Sequence, residues 1–155
     1  MSSKRVFLDS SVLVEYRKGA RTNLLDHLLD DESIELTISQ VVVSEYLYHL
    51  LGIFGGKAPL TLKGAGEIGQ TLRSGSPNGL LGKLEWVADN EQVMLKAPEI
   101  MADYNLLPND ALILSICLIN DIKYIASFDP DFFEACNDMK IELLQNVSDT
   151  AKLRN

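Results

Sequence analysis

Cysteine and histidine are scarce in this chain of 155 residues, and each scarcity excludes a class of protein or site. Two cysteines, Cys117 and Cys136, make no disulfide framework, so we predict reduced core thiols in a cytoplasmic protein. The only histidines are His27 and His49, which disfavours a histidine base and a zinc site built on histidine. Any hydrolytic chemistry must therefore rely on other side chains.

Long apolar runs are also missing. The stretch from Ala111 to Ile119 is apolar apart from Ser115, but it is far too short to cross a membrane. The run Val6-Phe7-Leu8 has only the length of a strand, so neither a signal nor an anchor is expected. We predict a cytoplasmic protein without membrane association.

Basic residues are fewer than acidic ones: the chain has 14 Lys and Arg and 22 Asp and Glu, which gives a formal net charge of −8. This balance argues against a protein that coats nucleic acid, since phosphate affinity comes mainly from Lys and Arg. It does not exclude a nuclease, because bound divalent cations reverse the local field at a carboxylate site.

Strand and helix patterns alternate along the chain, which predicts an α/β fold: a three-layer sandwich around a central, mostly parallel sheet of about five strands. The clearest predicted strands are 5–8, 34–38, 122–126 and 141–144, and the clearest helices are 12–18, 22–30 and 40–51. Between them, residues 93–96 are predicted to be a short strand, and Pro98 is predicted to start a helix that runs to Tyr104.

A single domain is expected at this length. We assign residues 1–145 to it, with residues 52–83 as an inserted Gly-rich arm and residues 146–155 as a polar C-terminal tail. The arm is predicted to be mobile or loosely helical. Its segment Gly64-Ala65-Gly66-Glu67-Ile68-Gly69 matches GxGxxG, but no convincing strand precedes it, so no nucleotide cofactor is expected.

Acidic residues stand at the ends of the predicted buried elements. Asp9 and Asp129 follow the strands 5–8 and 122–126, and the carboxyl ends of parallel strands meet at one edge of a sheet. Asp110 lies in the first turn of the apolar helix that Pro108 begins. Glu45 shares a helical stripe with apolar residues, and a buried carboxylate needs a partner or a metal. Four carboxylates can therefore converge.

Carboxylates without histidine or cysteine are hard oxygen ligands that suit Mg²⁺ or Mn²⁺. The chemistry that this donor set favours is attack of metal-activated water on a phosphodiester. The sequence thus predicts a metal-dependent hydrolase.

Four motifs carry a resemblance to a known family: Phe7-Leu8-Asp9-Ser10-Ser11-Val12-Leu13, Ser44-Glu45, Asn109-Asp110-Ala111-Leu112-Ile113 and Ser127-Phe128-Asp129-Pro130-Asp131-Phe132. In order and spacing they resemble the acidic motifs of PIN-domain ribonucleases, particularly the VapC toxins of prokaryotic toxin–antitoxin pairs. The resemblance spans residues 5–145 and implies an endoribonuclease that depends on Mg²⁺ or Mn²⁺.

The resemblance also assigns roles to individual residues. It implies metal binding by Asp9, Glu45, Asp110 and Asp129, with Ser11 and Ser127 as hydroxyls that orient ligands or water. Asp131 shares the last acidic loop, and its role is left open. The implied partners are an RNA substrate, an antitoxin protein and a second copy of the chain in a homodimer.

Two other functions remain open at this point. A PIN-like module whose acids no longer cleave would bind RNA or protein. An aspartate-based phosphatase would use Asp9 as its nucleophile, although Ser11 replaces the second acid of a DxD site.

Overall fold

Five strands form the centre of the protein, whose computed structural model describes residues 4–154. The strands are β1 (Lys4–Leu8), β2 (Ile34–Ile38), β3 (Glu85–Trp86), β4 (Tyr124–Ala126) and β5 (Glu142–Leu144). All neighbouring pairs are parallel, in the order β3-β2-β1-β4-β5. The predicted α/β fold with a five-stranded parallel sheet is confirmed. Residues 1–3 of the predicted domain and residue 155 of the predicted tail lie outside the described residues.

Helices connect the strands. They are α1 (Ser10–Lys18), α2 (Asn23–Asp30), α3 (Gln40–Gly55), α4 (Pro59–Ala65), α5 (Ile68–Gly75), α6 (Asn78–Leu81), α7 (Glu91–Tyr104), α8 (Pro108–Ile119) and α9 (Phe132–Met139). Within residues 4–154, none of them is both long and apolar enough to cross a lipid bilayer.

The register of β1 and β4 brings two distant parts of the chain together. Leu8 is paired with Ala126 at the carboxyl ends of the two strands. The backbone N–H of Asp9 then donates to the carbonyl of Ala126 at 3.0 Å. Asp9 and Ser127, the residues that follow the two strands, therefore emerge side by side.

The apolar helix α8 lies in the core, as its composition indicates. Ile113, Leu114 and Ile116 are fully buried. Its single internal polar residue, Ser115, is also buried and donates from its hydroxyl to the carbonyl of Val93 on α7 at 2.7 Å. This bond fixes α8, and with it Asp110 in its first turn, against the neighbouring helix.

The strand predicted at residues 93–96 is wrong, and the helix predicted from Pro98 starts earlier than expected, although it ends at Tyr104 as predicted. Residues 93–96 are helical, because α7 begins at Glu91, and the side chain of Asn90 caps it by accepting from the N–H of Val93 at 3.0 Å. Pro98 lies inside this helix rather than at its start, at the loss of one backbone hydrogen bond. The strand that pairs with β2 on the side away from β1 is instead the two-residue β3, which was not predicted.

The Gly-rich stretch 52–83 is ordered into short helices. Helix α3 continues past Gly52 and ends at Gly55, with Gly56 in the left-handed conformation at φ 63°. The helices α4, α5 and α6 follow, and Leu62, Leu80 and Leu81 are buried. The predicted arm is therefore helical, one of the two forms expected for it, and these buried leucines anchor it in a way that its glycine content did not indicate.

Arg17 fastens this helical stretch to the rest of the protein. Its guanidinium donates to the hydroxyl of Tyr46 on α3 at 3.0 Å and to the carbonyl of Ser76 at 3.3 Å. It also donates to the carbonyl of Gly75 and lies over the ring of Phe54, 5.1 Å from the ring centroid. One side chain of α1 therefore links α3 and the end of α5.

The segment predicted to be a polar tail contains a 3-10 helix, Val147–Arg154. Leu153 is buried, and its carbonyl accepts from the side chain of Lys4. The end of the described chain is therefore packed against the start of β1.

Candidate metal centre

A cleft of about 350 Å³ opens where β1 and β4 end. Five of the six predicted site residues line it: Asp9, Ser11, Glu45, Asp110 and Asp129. The sixth, Ser127, lies directly beneath, where its hydroxyl contacts Asp9. The fold thus brings together side chains that are separated by as many as 120 positions in the chain (Asp129 minus Asp9).

Asp9 is the most buried of these acids, with 4% of its surface exposed. It caps α1 by accepting from the N–H of Ser11 at 3.4 Å. The hydroxyls of Ser11 and Ser127 donate to its Oδ2 at 2.6 and 2.7 Å. Among the described residues, every hydrogen bond to this carboxylate falls on Oδ2, which leaves Oδ1 for a cation.

The two serines also hold the acidic loop after β4. Ser11 Oγ accepts from the N–H of Phe128 at 3.0 Å, and Ser127 Oγ accepts from the N–H of Asp129 at 3.0 Å. Each hydroxyl can do both, because it donates one proton to Asp9 and accepts with a lone pair. Asp9 and the loop that carries Asp129 are therefore held in one network.

Glu45 is oriented by two residues that the sequence analysis did not assign to the site. Ser10 donates from its hydroxyl to Oε2 at 2.7 Å, and Asn109 donates from its side-chain amide to Oε1 at 2.6 Å. Each of these residues is next to a predicted ligand, Ser10 after Asp9 and Asn109 before Asp110. That adjacency was the available signal for both residues.

A triad of carboxylates includes two of the acids that line the cleft. One oxygen from each of Asp110, Asp129 and Asp131 falls within 4.8 Å of the others. Asp129 Oδ1 accepts from the N–H of Asp131 at 2.9 Å, which folds the loop back so that both carboxylates approach Asp110. Asp131 is exposed and forms the outer edge of the triad.

Burial and, to a smaller extent, mutual repulsion raise the pKa of two carboxylates in this cleft. Burial, followed by the charges of Asp129 and Asp9, raises the pKa of Asp110 from 3.8 to about 7. Burial also raises the pKa of Asp9, an effect that the hydrogen bonds from Ser11 and Ser127 oppose. Carboxylates placed this closely disfavour one another's charged forms unless a cation lies among them.

The donor set fits a hard divalent cation. Oxygen ligands from several carboxylates suit Mg²⁺ or Mn²⁺, and no cysteine or histidine joins the carboxylate triad in the described part of the chain. Two basic side chains, Lys18 and His49, line the cleft, and Lys18 is paired with Glu15 at 3.1 Å. Among the described residues, no Lys or Arg forms an ion pair with Asp9, Glu45, Asp110 or Asp129.

Comparison with known families decides the classification. The family model of the PIN domain matches residues 6–137, which is most of the chain. This chain belongs to the PIN domain family. The predicted family is thereby confirmed.

Two curated relatives of this PIN domain come from Methanocaldococcus jannaschii. Ribonuclease VapC2 is 30% identical over 133 residues, which cover 85% of this chain and 89% of the relative. Ribonuclease VapC6 is 31% identical over 145 residues, which cover 85% and 93%.

Solved structures share the fold of this PIN domain at low sequence identity. VapBC2 from Rickettsia felis, bound to a DNA fragment of its promoter, matches with a TM-score of 0.63 and 15% identity over 91% of this chain and 99% of that one. VapC20 from Mycobacterium tuberculosis, a toxin that cleaves the sarcin-ricin loop, matches with a TM-score of 0.61 and 16% identity over 84% and 94%.

Ser127→Ala tests the hydroxyl network of this PIN domain. Removing a donor to the buried Asp9 is expected to lower the free energy of unfolding by about 1–2 kcal/mol. Denaturant unfolding measures the effect. Ser33→Ala removes a similar hydroxyl bond, to Asp31 at 2.6 Å on the exposed surface, and should leave the stability unchanged. Equal effects of both variants would contradict the assignment.

Proposed function

We propose that this PIN domain is an endoribonuclease that uses Mg²⁺ or Mn²⁺ to hydrolyse RNA phosphodiester bonds, as the toxin of a toxin–antitoxin pair. The observation that carries the proposal is the convergence of Asp9, Glu45, Asp110 and Asp129 on one cleft. Its relatives support the choice of substrate, because both curated ones are ribonucleases.

We further propose that Asp9, Glu45, Asp110 and Asp129 hold the metal and that Ser11 and Ser127 orient Asp9. A bound divalent cation would supply water activation and neutralise charge on the scissile phosphate. The serine hydroxyls favour the ionised form of Asp9, since their hydrogen bonds oppose the rise in its pKa that burial causes. Ser10 and Asn109 hold both oxygens of Glu45 in a fixed orientation before any ligand arrives.

An antitoxin protein is the proposed partner. Toxin–antitoxin complexes from Klebsiella pneumoniae and from nontypeable Haemophilus influenzae share this fold, with TM-scores of 0.52 and 0.61. We extend the proposal to a homodimer and to a cytoplasmic site of action, where RNA is available. Co-purification of the chain with the product of a small neighbouring reading frame would identify the antitoxin.

Cleavage of RNA by the purified protein tests the proposed activity. A structured RNA is incubated with the protein and Mg²⁺, Mn²⁺ or EDTA, and the products are resolved on a sequencing gel. Internal cuts with either metal and none with EDTA are expected. Metal binding without cleavage would favour a non-catalytic module, and hydrolysis of a phosphomonoester without RNA cleavage would favour a phosphatase that uses Asp9.

A further inference from the structure

A second groove lies beside the metal cleft and has a different chemical character. It encloses about 490 Å³ between the α1–α2 loop, the loop after β4 and the segment after β5. Among the described residues that line it, Arg21 is the one cation and no Asp or Glu is present. In a chain of net charge −8, a groove without carboxylates is suited to a ligand that carries negative charge.

Phe128 connects this groove to the cleft. Its neighbours in sequence are Ser127, which donates to Asp9, and Asp129, which lines the cleft. The side chain of Phe128 itself lines the groove, while its backbone N–H is fixed by Ser11. An RNA strand that has a phosphate in the cleft can therefore place the neighbouring nucleotide in the groove.

Arg21 and Phe128 form a stacked pair in this groove. The guanidinium carbon of Arg21 lies 3.5 Å from the centroid of the Phe128 ring, so one face of the guanidinium is covered. Arg21 is exposed, which leaves the guanidinium open to a further planar group. Aromatic rings and arginine planes are the surfaces on which unpaired RNA bases stack.

Amide side chains surround the stacked pair. Asn23 and Gln145 line the groove, and each carries both a donor and an acceptor that match the edge of a base. The segment after β5 is held in place, because Asp149 Oδ2 accepts from the N–H of Gln145 at 2.8 Å and of Asn146 at 3.2 Å. The amides are thus presented from an ordered wall.

We propose that this groove binds the base of one unpaired nucleotide next to the scissile phosphate, with the Arg21–Phe128 pair as its stacking surface and Asn23 and Gln145 at its edge. The inference rests on the proposed ribonuclease function. It makes the groove a specificity subsite for single-stranded RNA. Duplex RNA is excluded, because its bases are already stacked and paired.

Binding measurements test the subsite separately from cleavage. The Asp110→Asn protein is titrated, with Mg²⁺ present, into a labelled single-stranded oligoribonucleotide and into versions that lack one base at successive positions. Loss of the base at one position should weaken binding about 10-fold. In the Asp110→Asn protein, the additional substitution Arg21→Ala should weaken binding of the intact oligonucleotide by the same factor. It should leave binding of the oligonucleotide that lacks this base unchanged.

Two variants and a control sharpen this test. Arg21→Lys keeps the charge but lacks the planar guanidinium, and Phe128→Leu keeps the backbone N–H but lacks the aromatic ring. In both variants, removal of the base should no longer weaken oligonucleotide binding. Lys123→Ala removes a cation beside the amino end of β4, away from the groove, and should behave like the parent protein. An oligonucleotide annealed to its complement should show no dependence on Arg21.

Two results would overturn the subsite: indifference to base removal at every position, or equal weakening of intact and base-free RNA by Arg21→Ala. Wild-type cleavage is measured in parallel. Cleavage without base dependence would leave the ribonuclease function standing and remove the subsite. Base-dependent binding without cleavage would leave the subsite standing and remove the ribonuclease function.

Discussion

Asp110→Asn is expected to lower RNA cleavage by at least about 100-fold while making the metal-free protein more stable by about 1–2 kcal/mol. The loss follows from the position of Asp110, which faces Asp129 and Asp131 in the triad. The gain follows from its pKa, which burial and the neighbouring carboxylates raise to about 7. Because the side chain is partly exposed, the full shift is not converted into stability.

Single-turnover cleavage with Mn²⁺ and urea unfolding in EDTA measure these two effects. Asp103→Asn is the matched control, since Asp103 is an exposed acid on α7, and it should leave cleavage and stability unchanged within error. Retention of cleavage in Asp110→Asn would remove this residue from the metal site. A fall in metal-free stability would contradict the repulsion inferred for the cleft.

In the wild-type protein, a rise in pH is expected to lower the stability of the metal-free state, and a divalent cation is expected to raise the stability. The folded state holds the proton on Asp110 up to about pH 7, whereas the unfolded chain releases it near pH 3.8. The folded state therefore binds more protons between these values, and the metal-free protein loses stability as the pH rises through that window. Asp9, whose pKa is also raised, contributes in the same direction.

A divalent cation should reverse this loss, because it binds the ionised carboxylates of the folded state alone. At about 100 times its dissociation constant it adds about 2.7 kcal/mol, or roughly 5–10 °C in Tm for a chain of this size. Thermal unfolding with Mn²⁺ and with EDTA measures the shift, which should be larger near pH 8 than near pH 5. Asp110→Asn should show a smaller shift. A pH-independent increase in Tm would place the metal elsewhere.

The fold could be predicted because its strands are short apolar runs that end in acids. β2 was predicted to the residue, and the strands that precede Asp9 and Asp129 were placed to within two residues. The strand β3 was missed because two exposed residues, Glu85 and Trp86, carry no hydrophobic pattern. Such a strand is defined by its backbone pairing with β2 alone.

The acids of the candidate site could be predicted, but their supporting contacts could not. Position at strand ends and helix starts pointed to Asp9, Asp110 and Asp129. The bonds from Ser10 and Asn109 to Glu45 join α3 to the starts of α1 and α8, and no local pattern encodes contacts across 35 and 64 positions. The start of helix α7 was predicted at Pro98 because proline favours the first turn of a helix, whereas the helix begins upstream, where Asn90 caps it.

The order of strands in the sheet has a consequence for synthesis of the protein. β4 lies directly beside β1, although more than 100 residues separate Leu8 from its partner Ala126. A ribosome that has released only the first two-thirds of the chain has made Asp9 and Glu45 but neither Asp110 nor Asp129. Since chains fold as they emerge, the four acids of the cleft come together only after β4 and the loop that carries Asp129 have been synthesised. A nascent chain that ends before β4 therefore lacks the complete set of four carboxylates, whatever part of the sheet it has already formed.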